Sequence, residues 1–480
     1  MLKFEPFSIA TLQKAIPLLR AFPSPCSELS AGSLFMWEPG TDLAFCTDDD
    51  TLIISQEING QPAFTWPAGK NAYEAVGRLI EYTKSKHLPL RFYAVDRKTL
   101  DVILADPRLK NPSYAFDPRW SDYVYSSADA MTFSGKKFHG QRNHVNRFMN
   151  LYGPADVRFL TEDDTQAVTE LLAEYESCHQ DMNNLERLEF EQAKKLLPLC
   201  ERLGLYAAGL FTADGTPAAF SIGEISGSTL LIHVEKALTR FEGAYPSMYS
   251  GFVRLMNGVS GGALTLVNRE DDSGDPGIRT SKTQYHPVAM IDKYLVHVDS
   301  PAKKLPCLPL IQTDSAVLTA FRESDRKNYF ELCTDVENNI YWGYDYREDY
   351  MLTGPIDENT FYDSAMYDMS NGDSINLAIR LSPDGELAGE IILWNFTQDG
   401  YAELGCRLLP RFQGSGLGKA AFTAAADFAE KTLGLKVYAR CFRENVRSRG
   451  MITSSGFSPC CESVTHLYFC RGGGSPPHVP

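Results

Sequence analysis

The sequence lacks long hydrophobic runs. Within its 480 residues there is no stretch of about eighteen consecutive apolar side chains, so no membrane-spanning helix is predicted. The longest candidate, residues 205–222, is interrupted by the turn-forming sequence Asp214-Gly215-Thr216-Pro217. The first residues also lack the basic and apolar segments of a secretory signal. We therefore expect a soluble, cytoplasmic protein.

Paired cysteines and an excess of basic residues are missing as well. None of the 11 cysteines stands in a Cys-x-x-Cys pair, which argues against a metal site and favours reduced thiols. The net charge is −15, and acidic residues outnumber basic ones both before and after residue 300. Because proteins that bind nucleic acids carry a basic footprint, this balance disfavours tRNA, which is kept only as an alternative partner.

A glycine-rich stretch at residues 413–419 has the composition of a phosphate-binding turn. The pattern predicts a strand over 401–409 and an alanine-rich helix over 420–431. Glycines let the backbone approach a ligand, and the start of a helix offers N–H groups to phosphate oxygens. Two common nucleotide motifs are absent, since Ala420 stands where a P-loop has Ser or Thr, and the Gly-x-Gly-x-x-Gly spacing is missing. A tight turn without a ligand is the alternative.

This stretch resembles the coenzyme A loop of the GNAT N-acyltransferases, Gln/Arg-x-x-Gly-x-Gly/Ala, and the similarity extends over roughly residues 315–470. Residues 387–393 and 435–440 look like strands of that family, and residues 445–457 look like its last helix with the Gly-Phe that closes it. The resemblance implies acetyl-CoA or another acyl-CoA as cofactor. The residues implied to bind it are Leu408, Leu409, Gln413, Gly414, Ser415, Gly416, Leu417, Gly418, Lys419 and Asn445.

Acyl transfer to an amine also requires a group that accepts a proton from the amine. The first candidate is Glu403, which precedes the loop at a position where many GNAT enzymes place a glutamate, and the second is Glu390. The alternative for Glu403 is an exposed strand carboxylate without a catalytic role. The family often carries a tyrosine seven residues after the asparagine of its last helix, but here Ile452 occupies that position. Protonation of the leaving thiolate would therefore need water or another group.

Residues 341–350 combine aromatic rings with carboxylates, a composition that can hold a cationic amine by cation–π contact and ion pairing. We predict that Tyr341, Trp342, Tyr344 and Asp345 contribute to the acceptor site. An aromatic packing segment beneath a helical cap is the alternative.

Four basic residues lie close together within the acidic chain, namely Lys136, Lys137, Arg142 and Arg147. They are predicted to form a docking patch for a phosphate-bearing ligand. A solvated helix face is the alternative.

The first 297 residues show a second resemblance, to the phosphatidylglycerol lysyltransferase C-terminal domain family. It implies two GNAT-like halves packed together, related to aminoacyl-tRNA-dependent transferases. The members that modify lipid carry a membrane domain without counterpart in this sequence, which disfavours a lipid substrate. The motifs that carry the resemblance are Ser134-Gly135-Lys136-Lys137, Arg142-Asn143-His144, His233-Val234-Glu235-Lys236-Ala237, Asn268-Arg269-Glu270-Asp271 and Lys282-Thr283-Gln284-Tyr285-His286-Pro287.

The predicted fold class is α/β with mixed sheets, in which a C-terminal GNAT fold follows a tandem pair of GNAT-like half-domains. The half-domains are expected at 1–130 and 131–298, a proline-rich linker at 299–312, the acyltransferase domain at 313–470 and a disordered tail at 471–480. The regions on the two sides of the linker are expected to fold independently.

Three functional hypotheses remain open at this point. The leading one is an acyl-CoA-dependent N-acyltransferase that acts on an amine of a small molecule or peptide. The second is an aminoacyl transferase carried by residues 1–298. In the third, the front region senses a ligand and has no catalytic role.

Overall fold

A computed structural model describes residues 2–347, 349, 352 and 355–472. These residues form three units, each built on one β-sheet of seven or eight strands. Within those ranges, no helix is long and apolar enough to cross a lipid bilayer. The tail expected to be disordered lies outside the described residues from position 473 onward.

The first helix of the first unit has a sequence that explains its position. Ser8 caps α1 by accepting a hydrogen bond from the N–H of Thr11, and Leu12, Ile16 and Leu19 bury one face of the helix. The helices are α1 (Ile9–Ala21), α2 (Ala31–Met36), α3 (Ala72–Ser85) and α4 (Arg97–Ala105). The strands are β1 (Glu5–Pro6), β2 (Ala44–Asp48), β3 (Thr51–Ile58), β4 (Gln61–Phe64), β5 (Ala68–Gly69), β6 (Arg91–Val95) and β7 (Pro112–Phe116).

The second unit is centred on α10, which is buried along most of its length against the sheet. Its seven strands are β8 (Asp122–Ser126), β9 (Asp156–Phe159), β10 (Tyr206–Phe211), β11 (Pro217–Ser226), β12 (Thr229–Ala237), β13 (Leu266–Asn268) and β14 (Ala289–Ile291). The helices are α5 (Ser127–Thr132), α6 (His139–Tyr152), α7 (Thr165–Cys178), α8 (Asn184–Leu196), α9 (Cys200–Leu203), α10 (Ala244–Val259) and α11 (Pro276–Thr283).

The boundary between these two units differs from the expected break after residue 130. β8 already belongs to the second sheet, where it pairs with β13 and β14. The chain then returns to the first sheet as β15 (Tyr294–Val298), which inserts between β6 and β7. The two units also share one hydrophobic core, which runs from α1 and α2 to α10. They are therefore interleaved in the chain, and the sequence pattern could not show this because each strand alone is locally ordinary.

The third unit follows as an eight-stranded sheet with helices on both faces. α16 and α17 cover one face, and α13 and α15 cover the other. Its helices are α12 (Pro301–Lys304), α13 (Arg326–Thr334), α14 (Val336–Asn339), α15 (Thr360–Asn371), α16 (Leu417–Lys431) and α17 (Val446–Ser454). Its strands are β16 (Ile311–Gln312), β17 (Val317–Thr319), β18 (Ser374–Arg380), β19 (Gly389–Trp394), β20 (Tyr401–Leu408), β21 (Lys436–Phe442), β22 (Ser458–Glu462) and β23 (His466–Cys470).

All three sheets share one topological feature. Each contains a parallel pair among antiparallel neighbours, namely β4 with β6, β12 with β13 and β20 with β21. In each case a helix connects the two parallel strands: α3, α10 and α16 respectively. A strand–helix–strand crossover is what a parallel pair requires, and its recurrence shows that the three units are variants of one architecture.

The segment expected to be a linker is attached to the third unit. It contains α12 and β16, and Leu305 and Leu308 pack against the core of that unit. The hydroxyl of Ser300 donates to the carbonyl of Gly372 at 2.7 Å. The segment therefore acts as a packed connection with little freedom.

Candidate active site

The loop at residues 413–419 stands between β20 and α16, as predicted. Gly414 and Gly416 have φ angles of 78° and 87°, a region that favours glycine, and Gly416 is the N-cap of α16. A Cβ added to either glycine would meet open space within 4 Å of the described atoms. No side chain of the described residues caps α16, so the N–H groups of its first turn remain available to an anion.

Other predicted cofactor residues shape this loop from within. The side-chain amide of Gln413 donates to the carbonyl of Leu408 at 3.1 Å, and Ser415 donates to the carbonyl of Phe412 at 3.1 Å. Gly418 lets α16 begin close to Leu408, since a Cβ there would lie 3.3 Å from that side chain. Lys419 is exposed beside the loop. These contacts hold the turn in one shape.

Three predicted cofactor residues lie in supporting positions. Leu409 and Leu417 are buried in the core, and the N–H of Leu409 donates to the carbonyl of Ala388. Asn445 caps α17 by accepting a hydrogen bond from the N–H of Ser448. The side chains of these three residues are thus used within the fold.

The parallel strands β20 and β21 separate in front of the loop. Their pairing is confined to three register positions, 401 to 403 on β20 against 436 to 438 on β21. Beyond these positions β20 continues to Leu408 with only β19 as a strand partner among the described residues, while β21 continues beside β23. The opening between the strands leads towards the glycine loop and can admit an extended, amide-bearing chain.

Glu403 lies at the base of this opening and is buried, with a residue exposure of 6%. Its carboxylate accepts a hydrogen bond from the hydroxyl of Tyr438 at 3.0 Å and pairs with the Nε of Arg440 at 2.8 Å. The Glu403 carboxylate raises the pKa of Arg440, and burial together with Glu403 raises the pKa of Tyr438 well above its ordinary value. The expected alternative, an exposed carboxylate, is therefore wrong about its surroundings. Its catalytic role stays a prediction.

Sequence reasoning missed Tyr438 and Arg440 as partners of Glu403. The parallel pairing of β20 with β21 would have indicated them, because its register places Tyr438 beside Glu403. Ile452, which occupies the position where the family often has a tyrosine, is the residue of α17 that is buried in the core. The tyrosine close to the candidate base Glu403 is instead Tyr438, which lies on β21 and not on the last helix.

Glu390 has a different environment. It is 1% exposed and accepts hydrogen bonds from Tyr329 at 2.8 Å, Asn376 at 2.7 Å and Arg407 at 2.9 Å. Three donors thus satisfy the hydrogen-bonding capacity of this buried carboxylate. Its environment is that of a residue that orders the sheet face beneath Arg407.

The predicted acceptor segment covers the same face of the sheet. Arg407 lies 4.5 Å from the ring centre of Trp342, and the ring of Tyr341 lies 5.9 Å from that of Phe442 on β21. Trp342 thus approaches the opening from the side of β20, and Tyr341 approaches it from the side of β21. Tyr344 donates to Asp349 at 2.7 Å and faces a cavity between the units. Asp345 pairs with Arg347 at the surface, and this pairing lowers the pKa of Asp345.

The basic patch of the second unit is largely compensated by neighbours. Lys137 pairs with Asp129 at 3.0 Å, and Arg147 pairs with Glu242 at 2.5 Å. Arg142 donates to the carbonyls of Phe133 and Gly135. Lys136 lies on the 3-10 turn that precedes α6 and is exposed. Docking of a phosphate-bearing ligand here stays a prediction, and these partners would compete with it.

A second cluster of charged groups lines a cavity of about 1460 Å³ bounded by all three units. In this cavity His233 lies 3.1 Å from Glu224 and 2.8 Å from Glu270. Burial opposes protonation of the imidazole, but the bonds to the two carboxylates raise the pKa of His233 to about 9. Lys293 is buried and pairs with Asp122 at 2.6 Å. The sequence motifs included His233 and Glu270, but not this convergence.

Comparison with known families accounts for both parts of the chain. Residues 20–297 match the family model of the phosphatidylglycerol lysyltransferase C-terminal domain, and residues 316–458 match that of the acetyltransferase (GNAT) domain. The chain belongs to the phosphatidylglycerol lysyltransferase C-terminal family. Below, residues 20–297 are called the lysyltransferase-like region and residues 316–458 the GNAT domain.

Individual relatives are more distant. A solved structure of a conserved protein of unknown function from Bacteroides thetaiotaomicron is 27% identical, covers 62% of this chain and all of its own, and has a TM-score of 0.56. The structure of L-PGS from Bacillus licheniformis is 16% identical and covers 60% of this chain and 91% of its own, with a TM-score of 0.44. An uncharacterised protein of Mycoplasmoides gallisepticum is 26% identical over 179 residues, which are 37% of this chain and 56% of that protein.

These matches confirm both resemblances and the α/β class with mixed sheets. They also confirm the predicted enzyme class, because the GNAT domain is an acyltransferase domain. The residues that match the GNAT family include β20 and β21, the two strands that separate in front of the glycine loop.

Proposed function

We propose that the protein is an acyl-CoA-dependent N-acyltransferase, with acetyl-CoA as donor and an amine of a small molecule or peptide as acceptor. The observation that carries this proposal is the opening between β20 and β21, which leads to an uncapped helix start behind a glycine loop. It lies in the domain that matches the GNAT family. Acyl-CoA, when bound, supplies the acyl group as a thioester.

The donor end of this site consists mainly of main-chain groups. The N–H groups at the start of α16 are suited to the pyrophosphate, because Gly414 and Gly416 leave space beside them. Lys419 adds a positive charge at the same end. The edge of β20 up to Leu408 offers N–H and C=O groups to the amides of the pantetheine arm.

The acceptor end is the face that carries Glu403. As the amine attacks the acyl carbon, its proton passes to Glu403 directly or through a water molecule. The thioester C–S bond then breaks, and coenzyme A leaves as a thiolate that takes a proton from water. Arg440 and Tyr438 keep the carboxylate oriented before and after this transfer. General-base assistance of this kind contributes roughly 10²–10⁴ in rate.

The test is a turnover assay that combines several acyl-CoA donors with a broad panel of amines and amino acids. Products are followed by mass spectrometry, and free coenzyme A is measured in parallel. We expect one acylated amine for each coenzyme A released. Binding of acyl-CoA without product from any amine would contradict the proposal and favour a ligand-sensing role.

A second function is proposed for the lysyltransferase-like region, namely aminoacyl transfer. It is favoured by the cavity in which His233 and Lys293 are buried among carboxylates. Product formation that requires aminoacyl-tRNA and persists without acyl-CoA would support this alternative over the first.

A further inference from the structure

The lysyltransferase-like region extends a hairpin onto the GNAT domain. The turn between β3 and β4 is held by Arg91, whose guanidinium donates to the carbonyls of Ile58 at 3.0 Å and Gln61 at 3.1 Å. Arg91 also pairs with Asp373 of the GNAT domain at 2.8 Å, and both residues are almost fully buried. These contacts fix the tip of the hairpin, residues 57–60, against the third sheet.

The hairpin tip reaches the sheet face that carries Glu403. A Cβ added to Gly60 would lie 3.2 Å from the ring of Trp394, and Trp394 is the cross-strand neighbour of Glu403. Arg440, on the strand at the other side of Glu403, lies 5.8 Å from the ring centre of Trp394 and 2.8 Å from the Glu403 carboxylate. The front region thus touches the ring next to the candidate base.

Glu57 is the charged residue of this tip. Partial burial and the neighbouring Asp42 raise the pKa of Glu57, whereas the charge of Arg440 lowers it. The Glu57 carboxylate lines the cavity between the units and lies 3.8 Å from the position that a Cβ on Gly60 would take, at the hairpin tip that meets Trp394. A carboxylate at the hairpin tip, outside the sheet that carries Glu403, is suited to contact a different part of an acceptor from the reacting amine.

The same tip lines the cavity between the units, together with Asp363 and Asp368 of α15 and the segment around Tyr344. Three of these side chains are carboxylates, counting Glu57, and Tyr344, Phe361 and Tyr367 add aromatic surface to the wall. The hydroxyl of Tyr93 in this cavity is buried and has no hydrogen-bond partner among the described residues. Carboxylates with aromatic rings favour a cation, and the buried hydroxyl in this wall is a polar group whose hydrogen bond a ligand would satisfy.

We propose that the β3–β4 hairpin forms one wall of the acceptor site of the GNAT domain, and that Glu57 selects amines that carry a second cationic group. This inference rests on the proposed N-acyltransferase function. It assigns substrate selection to a residue from outside the GNAT domain. The reacting amine lies near Glu403, and the second cation extends towards Glu57 and the cavity.

A role of the hairpin in folding alone gives a different result from a role in selection. If the hairpin only joins the two regions, a change at Glu57 affects all amines by the same factor. If Glu57 holds a second cation, the change acts selectively on amines that have one. The ratio of kcat/KM for spermidine to kcat/KM for n-butylamine distinguishes the two roles.

The experiment uses the full chain with acetyl-CoA and these two probe amines. Glu57→Gln keeps the size of the side chain and removes its charge, and Glu74→Gln, on the exposed part of α3, is the matched control. We expect the ratio to fall at least about tenfold in Glu57→Gln, as the loss of one charge-assisted contact predicts. Glu74→Gln keeps the wild-type ratio, and Glu57→Asp recovers part of it. An unchanged ratio in Glu57→Gln would overturn the inference.

A binding measurement makes the result independent of turnover. Spermidine is titrated by calorimetry into the full chain saturated with coenzyme A, and thermal melting confirms that each variant is folded. We expect a loss of affinity of about tenfold in Glu57→Gln and none in Glu74→Gln. If spermidine binding depends on Glu57 but spermidine is not acetylated, the proposed N-acyltransferase function is rejected. The assignment of the hairpin as one wall of the amine-binding site is then retained. Equal affinity of wild type and Glu57→Gln for spermidine would reject the role of the hairpin in amine binding.

Discussion

The two regions of the molecule form their candidate sites from different chemical groups. The GNAT domain presents main-chain groups from one contiguous stretch, in which Gly414 and Gly416 expose the start of α16. The lysyltransferase-like region instead brings together side chains distant in sequence, such as His233, Glu270 and Lys293. A main-chain site is visible in a short motif, whereas a side-chain site becomes visible only after folding.

The regions also differ in how their charges are used. Two of the basic residues predicted to form a docking patch are paired, Lys137 with Asp129 and Arg147 with Glu242. The carboxylate of Glu57, which no sequence motif singled out, lines the cavity between the two regions. Local density of charge is therefore a weaker guide to function than the position of a single charge at an interface.

The largest expected effect concerns the contact between the two regions. Asp373→Ala leaves Arg91 as a buried charge without its partner, and removal of one member of a buried ion pair typically costs about 3–5 kcal/mol. We expect a matching loss in the free energy of unfolding, measured by urea denaturation of the full chain. Asp384→Ala, in an exposed turn of the same domain, is the control. Equal stability of the two variants would show that the regions fold independently, as the sequence alone predicted.

The second prediction concerns Glu403, the candidate base of the GNAT domain. Glu403→Gln removes the candidate base while retaining its size, so we expect turnover to fall at least about tenfold, within the range of general-base effects. Coenzyme A affinity should remain close to that of the wild type, because the glycine loop lies beyond Glu403. Steady-state kinetics across pH with a confirmed acceptor checks this, with Glu444→Gln on an exposed loop as the control. Wild-type turnover in Glu403→Gln would show that the amine arrives already neutral.

The smallest effect is a pH dependence at the interface. Burial, and then the charge of Asp373, raise the pKa of Asp368 to about 7. The ordinary value is about 3.9, so the folded state binds this proton more tightly. The resulting stabilisation is complete below about pH 4 and is lost as the pH rises through about 7.

Asp368→Asn carries no titrating group at this position. We therefore expect the variant to melt above the wild type at pH 8 and to lose this advantage as the pH falls below about 4. Thermal melting over this range provides the measurement. Parallel curves for the two proteins would mean that Asp368 titrates normally.

Much of the C-terminal architecture could be predicted from the sequence. The strand expected at 401–409 is β20, and the helix expected from 420 is α16, which begins earlier because Gly416 serves as its N-cap. The glycine loop, which we propose binds coenzyme A, could be recognised because glycines at fixed spacing leave a local trace in the sequence. The same holds for the family motifs around His233, which lies on β12.

The remaining features depend on contacts between distant segments. β15 returns to the first sheet about 200 residues after β6, and nothing in its own sequence shows this destination. The pairing of Glu403 with Arg440 follows from the register of β20 and β21. The placement of Glu57 requires the packing of two regions, which no local pattern encodes.

The central claim is that acyl-CoA binds at the glycine loop of the GNAT domain. The most direct measurement is calorimetry of acetyl-CoA with the wild type, Gly416→Glu and Gly434→Glu. Both glycines have positive φ and open surroundings, so the two variants introduce the same charge with similar backbone strain at opposite ends of α16. We predict that Gly416→Glu weakens binding at least about a hundredfold, because its carboxylate repels the pyrophosphate, and that Gly434→Glu binds like the wild type. Unchanged affinity in a folded Gly416→Glu variant would contradict the account.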